Sequence, residues 1–280
     1  MSKDTLIVNF GINVKRCPLT RPHFTIFGVD EWKSGANLWP PEDGVSLRTL
    51  SIAKMKIHSG TVVNNLDIRD PSQKLQLDID FSATSGFASR WNLVQHIMKR
   101  PITYPDRAEQ LQNTLGFSTD PLGQDIRIVG SPRVSLSLQL NEGAYDTAVF
   151  AYLDDIDPVS GVIRYITEGS IRASHRALED DARGEGIASL PPIRAGSIDT
   201  IRRSFLQRDM TPLAGPESTI IDFMMEPVAY ALPAGHILRL SFAGSDVDNY
   251  YLDNIHGLAS TWYIDTANSK LVLPILDNNT

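Results

Sequence analysis

Six histidines are the first groups to weigh, because an imidazole titrates near neutral pH and can move protons in a reaction. They are His23, His58, His96, His175, His236 and His256. His175 follows Ala173-Ser174 and His236 follows Gly235 at the start of an apolar alternation, so each is a weak catalytic candidate. The plainer reading of both is a polar group satisfied within a strand or turn. Glu168 with Arg172, and Asp106 with Arg107, place a carboxylate beside a cation; such pairs more often fix a loop than make or break bonds. No two histidines stand at H-x-x-x-H spacing, and the single cysteine, Cys17, builds neither a zinc knuckle nor an intrachain disulfide. Asp246, Asp248, Asn249 and Asp253 offer oxygens to a hard cation such as Ca²⁺. They lack the EF-hand register and its glycine, so an Asx-capped turn explains them as well.

Aromatic residues suggest a different chemistry. Trp32, Trp39, Trp91 and Tyr104 fall in the first half of the chain, and Tyr250, Tyr251, Trp262 and Tyr263 near its end. Gathered on one open face, Trp32, Trp39, Trp91, Tyr104, Tyr250 and Tyr251 would line an apolar groove for a small organic ligand; scattered, they are core and edge packing. No Gly-rich phosphate cradle is present, so no nucleotide and no other cofactor is expected. A serine nucleophile elbow needs small neighbours, as in G-x-S-x-G. The nearest approach is Gly116-Phe117-Ser118-Thr119-Asp120, where Asp120 replaces the second glycine.

The elements that must position these groups are mostly strands. Leu75, Leu77, Ile79 and Phe81 alternate with Gln76, Asp78 and Asp80, and Val134, Leu136, Leu138 and Leu140 alternate with Ser135, Ser137 and Gln139. Further strands are expected at His23–Phe27, Leu47–Lys54, Ala148–Leu153, Val162–Glu168, Ile171–Arg176, Thr219–Met225, Ile237–Ala243 and Leu271–Ile275. Turn signals punctuate them: Asp70-Pro71, Asp157-Pro158 with Gly161, Pro233 with Gly235, and Gly244-Ser245-Asp246. Helix is scarce; Ser89–Met98 is the best stretch, with Ser89 as a possible N-cap. The stretch Glu179–Gly186 with Pro191-Pro192 reads as a long surface excursion. The expected class is all-β, a jelly-roll β-sandwich (galactose-binding-like) with one or two short helices.

The chain has 280 residues, 42% hydrophobic and 21% charged, so it can bury a core without a disulfide or metal staple. A net charge of −7 with both signs interspersed argues against a nucleic-acid partner. Arg202-Arg203 with Arg208 is short and flanked by Asp199 and Asp209, which reads as a solvated loop rather than a phosphate site. The start, Met1-Ser2-Lys3-Asp4, has no signal-like layout, and no apolar run approaches the roughly 20 residues of a membrane span. A cytoplasmic protein without a membrane partner is the expectation.

Several phrases together resemble the C-terminal domain of the Xaa-Pro dipeptidyl-peptidase and cocaine-esterase family of serine hydrolases. They begin with Phe24–Trp32 and Trp39-Pro40-Pro41. In order, Tyr104–Arg107, Leu115–Leu122, Ile128–Pro132, Leu153–Pro158, Gly169–Arg176, Pro233–Leu240 and Ser245-Asp246 follow. The resemblance runs from about Arg21, leaving 1–20 as an N-terminal extension and 21–280 as one jelly-roll domain. It implies a sandwich that packs on a catalytic α/β-hydrolase domain, and none of that domain's catalytic residues has a counterpart here. Two functions follow as expectations. The first is a non-catalytic interaction domain, with a partner protein domain or a second copy of itself. The second is a stand-alone, cofactor-free cyclase or isomerase of secondary metabolism, a pericyclase such as a Diels–Alderase, orienting a small apolar molecule in a jelly-roll cavity. The chain's own Met1 and the extra segment before the resemblance suit the second.

Overall fold

Alternating side chains become the two faces of antiparallel sheets, and the inward faces meet. The computed structural model describes residues 23–29, 31–34, 44–59, 74–86, 97–98, 105–177, 203, 205–213, 217–251 and 258–277. Strands β1 (His23–Ile26) and β2 (Glu31–Ser34) form a small hairpin. One sheet is built from β4 (Lys56–Ser59), β6 (Leu115–Ser118), β9 (Ala148–Ile156), β10 (Ile163–Arg172) and β13 (Ile237–Ala243). Its five strands run in the order β10-β9-β13-β6-β4. The other, of seven strands, uses β3 (Val45–Ser51), β5 (Leu75–Asp78), β7 (Ile126–Gly130), β8 (Arg133–Leu140), β11 (Thr219–Met224), β12 (Val228–Leu232) and β14 (Thr261–Leu276). Its path is β11-β8-β14-β7-β12, with β3 and β5 also paired to the long β14. The all-β sandwich expected from the sequence is therefore the fold.

The core lies between the sheets. Val149, Ala151 and Leu153 of β9 and Leu238, Leu240 and Phe242 of β13 face Leu136 and Leu138 of β8 and Trp262, Ile264 and Leu271 of β14 in one buried cluster. Each such side chain contributes about 1.5–3 kcal/mol relative to exposure. Trp262, fully buried, donates its Nε1–H to Thr147 Oγ1 at 2.9 Å, so its one polar atom is satisfied.

Several expectations need correction. The strand read through Phe81 stops at Asp78; Asp80 Oδ1 accepts from the Ser82 amide at 2.8 Å, and the turn this closes leaves Phe81 on a loop. Val162–Glu168 and Ile171–Arg176 are one strand, β10, which runs through Gly169-Ser170 and ends in a 3-10 turn at Ala173–His175. Arg203 is not solvated: its guanidinium is buried and donates to the Asp222 carbonyl. The helix expected at Ser89–Met98 lies outside the described residues except for Ile97 and Met98, as do the 1–20 extension and the excursion at 179–186. No helix among the described residues is long and apolar enough to cross a membrane.

Gly169 shows why a glycine sits mid-strand. A Cβ there would lie 2.8 Å from both the Met224 carbonyl oxygen and Met225 Cα. Gly169→Ala should therefore cost about 1–3 kcal/mol by overpacking. Gly123→Ala, where a Cβ meets nothing within 4 Å, should stay within about 0.5 kcal/mol. Urea midpoints of the two variants check this.

Candidate functional site

Strand alternation sends Phe150, Tyr152 and Asp154 of β9 to the side of the five-stranded sheet that faces away from the core. A register shift between Tyr165 and Thr167 of β10 sets Glu168 opposite Tyr152 and Ser170 opposite Phe150 on that same side. On the other flank, Arg239, Ser241 and Ala243 of β13 stand opposite Asp154, Tyr152 and Phe150. An outward face is normally wet, yet here Phe150, Tyr152 and Asp154 are all buried. Segments 79–86, 244–250 and 105–113 lie against it, as the contacts below show.

Asp246 is the hub of that cover and is 1% exposed. Its Oδ1 accepts from the Ser85 amide at 2.9 Å and Asn249 Nδ2 at 3.0 Å; its Oδ2 accepts from Ser85 Oγ at 2.7 Å and Tyr152 Oη at 3.0 Å. One carboxylate thus ties two loops to the sheet. Asp248 adds a bond from Thr84 Oγ1 at 2.6 Å. Burial, followed by the Asp246 charge, drives the Tyr152 phenol well above its ordinary pKa, so it remains a donor.

Beside Tyr152, Arg107 enters from the segment before β6. Its Nε stands 2.8 Å from Asp154 Oδ1, and its guanidinium carbon lies 5.1 Å from the Tyr152 ring centre and 5.3 Å from that of Tyr165. Burial pushes the Asp154 carboxyl up, opposed by the Arg107 charge. Arg239 continues the row, donating from Nε to Ser241 Oγ at 3.0 Å and reaching the Leu111 carbonyl from Nη2 at 3.4 Å. Its guanidinium lies over Gly116, where a Cβ would be 2.6 Å away.

Between the cover and the edge strand β10 is a cavity of about 150 Å³, lined by Phe150, Tyr152, Glu168, Ser170, Asp246 and Tyr250 with Gly169, Met224 and Glu226. Phe81, Val247 and Tyr251 project from the two pinned loops, with Tyr251 90% exposed.

The structure brings together Glu168, Asp246 and Tyr250 at this cavity, with Asp248 and Tyr251 on the same loop. It does not bring in the other candidates. His236 Nδ1 lies 2.7 Å from Asp155 Oδ1, whose Oδ2 accepts from Tyr230 Oη at 2.8 Å. His175 lies beside Phe205, with ring centres 5.9 Å apart and planes tilted by 48°. Arg172 pairs with Asp146 at 2.5 Å rather than with Glu168, and Arg107 pairs with Asp154 rather than Asp106. Asp106 instead accepts from the Ala108 and Ile163 amides, because a carboxylate two residues before a free amide caps it locally. Trp32 is in β2; its side chain, and Trp39, Trp91, Tyr104 and Asp253, lie outside the described residues. No group of three His, Cys, Asp or Glu among the described residues is arranged to hold a metal ion.

Sequence reasoning missed the Arg107–Asp154 pair and a Ser–His contact. Ser118 ends β6 rather than sitting on an elbow, and its Oγ lies 2.6 Å from His58 Nε2. Burial, then the Arg239 and Lys56 charges, lower the His58 pKa. The charges acting on this imidazole are cations, and among the described residues no carboxylate is bonded to it as a triad would require.

Two outcomes follow from these contacts. Asp246→Asn keeps the shape but turns an acceptor oxygen into a donor facing donors, and should cost about 2–3 kcal/mol in chemical denaturation. Protection of the 79–86 amides from hydrogen exchange should fall with it. For His58 the folded pKa lies below the ordinary 6.5, so the unfolded chain takes up a proton first as pH falls. Stability should thus be lost below pH 6.5, and thermal scans of His58→Gln should show a shallower loss over that window.

Comparison with known proteins gives this geometry a context. Residues 35–255 match the X-Pro dipeptidyl-peptidase C-terminal non-catalytic domain. Two curated relatives, each named "Putative serine esterase", come from Mycobacterium bovis and Mycobacterium tuberculosis. Both are 28% identical over 258 residues, covering 91% of this chain. The chain spans 37% of the length of these relatives. A crystal structure of a CocE/NonD family hydrolase from Staphylococcus aureus shares the fold, with a TM-score of 0.53 at 15% identity over 90% of this chain and 40% of that one. The chain belongs to the family of X-Pro dipeptidyl-peptidase C-terminal non-catalytic domains.

Proposed function

We propose that this domain works by docking to a catalytic hydrolase domain, and that the loop pair carrying Phe81, Val247 and Tyr251 is the contact. The observation that carries the reading is the exposure of these three large apolar side chains on loops that Asp246 ties to the sheet. Exposed apolar groups of this kind add nothing to the domain's own core, and apolar surface gathered at one place marks an interface. Loops already tied to the sheet lose little backbone freedom on binding. The relatives supply the partner's chemistry: the chain matches 37% of proteins named as serine esterases, and the remainder of such a protein is the natural occupant.

The alternative, a cavity-templated cyclase or isomerase, finds no support among the described residues. The cavity beside Tyr152 holds about 150 Å³, under the roughly 300 Å³ at which small-molecule sites begin, and carboxylates line it.

The test is calorimetric titration of this chain with the separately expressed remainder of the Mycobacterium bovis relative. Binding is expected, with Val247→Asp plus Tyr251→Ala weakening it by at least about tenfold, or ~1.4 kcal/mol, while the unfolding midpoint stays unchanged. Equal affinity with and without the substitutions, or no binding at all, would remove this loop pair from the role.

A further inference from the structure

The outward face of the seven-stranded sheet holds a second concavity, built differently. Between Asp265 and Lys270 the register of β14 against β8 shifts, and residues 266–269 are left out of the pairing. Ser269 Oγ fixes this excursion by accepting from the Ser137 amide at 2.9 Å and donating to the Asp265 carbonyl at 2.7 Å. With the excursion on one side and β11 on the other, the face sinks into a groove of about 640 Å³.

Its chemistry is that of hydroxyl groups. Thr49, Ser51, Ser135, Ser137 and Ser218 line it together with Asp222, and Ile220 is its one large apolar side chain. Ser135 and Ser137, 4% and 3% exposed, line its floor. Ser218 Oγ and Asp222 Oδ1 are buried without a hydrogen-bond partner among the described residues. A buried polar atom left unmade costs about 1–3 kcal/mol, so two of them opening on one groove point to a ligand that completes them.

The charges narrow the ligand class. Arg133 Nη2 lies 3.4 Å from Asp222 Oδ2 and offsets that carboxylate. Asp265 is spent locally, taking the Ala267 and Asn268 amides on Oδ1 and Asn268 Nδ2 on Oδ2. What faces the groove is close to neutral, with Lys270 as the added cation at its edge. A phosphate would need more positive charge, and a lipid or apolar peptide would need more apolar wall. Serine hydroxyls both donate and accept, which matches the paired donor and acceptor of each hydroxyl on a polyol.

We propose that this groove binds a neutral saccharide, its hydroxyls completing Ser218 and Asp222 and reaching Ser135 and Ser137. The site lies on the sheet opposite the docking loops and does not depend on them. Saturation-transfer NMR and calorimetry against lactose, maltotriose, cellotriose and mannotriose test it. At least one should bind in the millimolar range or tighter. Asp222→Asn and Ser135→Ala, both near-isosteric, should each lower that affinity by about fivefold or more in protein whose circular dichroism shows the fold intact, and Tyr251→Ala should leave it unchanged. Absence of binding by all four sugars would overturn the proposal. So would a sugar that binds these groove variants as tightly as the unsubstituted chain.

Discussion

A single buried carboxylate decides whether one side of this sandwich is wet or closed. Asp246 stands far along the chain from Ser85 and Tyr152, yet it accepts from both at once. Water could satisfy each of those donors separately only if the loops stood open. Because Asp246 supplies both acceptor oxygens from inside, segments 79–86 and 244–250 close on the sheet, and Phe150 and Tyr152 become a small second core with Ala83 and Ala243. The position of Tyr251, the size of the adjacent cavity and the burial of Tyr152 all follow from that closure.

Closing the face puts charge where a sandwich normally keeps it in solvent. The Arg107–Asp154 pair is almost wholly removed from water, and desolvating two ions offsets much of their attraction. The two tyrosine rings flanking Arg107 compensate in part, because their faces attract a cation more strongly once water is excluded. Removing one partner would strand the other, so the pair fixes the entry of segment 105–113 onto the sheet more than it adds stability. The seven-stranded sheet solves its outward face the other way, with hydroxyls beside the partly exposed Arg133–Asp222 pair and a looped-out stretch of β14 that leaves a groove.

The fold was legible wherever alternation was clean. Val134–Leu140 and Ile237–Ala243 read as strands because every second residue is apolar, and they became β8 and β13. Strands β7 and β12 were less visible: Ile126–Gly130 and Val228–Leu232 are short, and both faces carry apolar or small residues. The site was harder to read, since its charges find partners far along the chain. Arg107 was assigned to its neighbour Asp106 and Arg172 to Glu168, because spacing within a strand shows only local geometry; the observed partners are Asp154 and Asp146. Of the site candidates, Asp246, Glu168 and Tyr250 were named from the sequence, but nothing in their spacing told that one cavity would collect them.

The pairing of β14 has a consequence for how the chain is made. This strand, at residues 261–276, is the hydrogen-bonded neighbour of β3, β5, β7 and β8, whose residues leave the ribosome long before it. Until β14 emerges, those four strands have no shared spine, and the seven-stranded sheet has no order to adopt. The domain is thus built to assemble late, from contacts of long sequence separation, which slows folding and leaves strand edges open during synthesis. A ribosome stalled before residue 261 would release a polypeptide that lacks the strand joining β3, β5, β7 and β8 into one sheet.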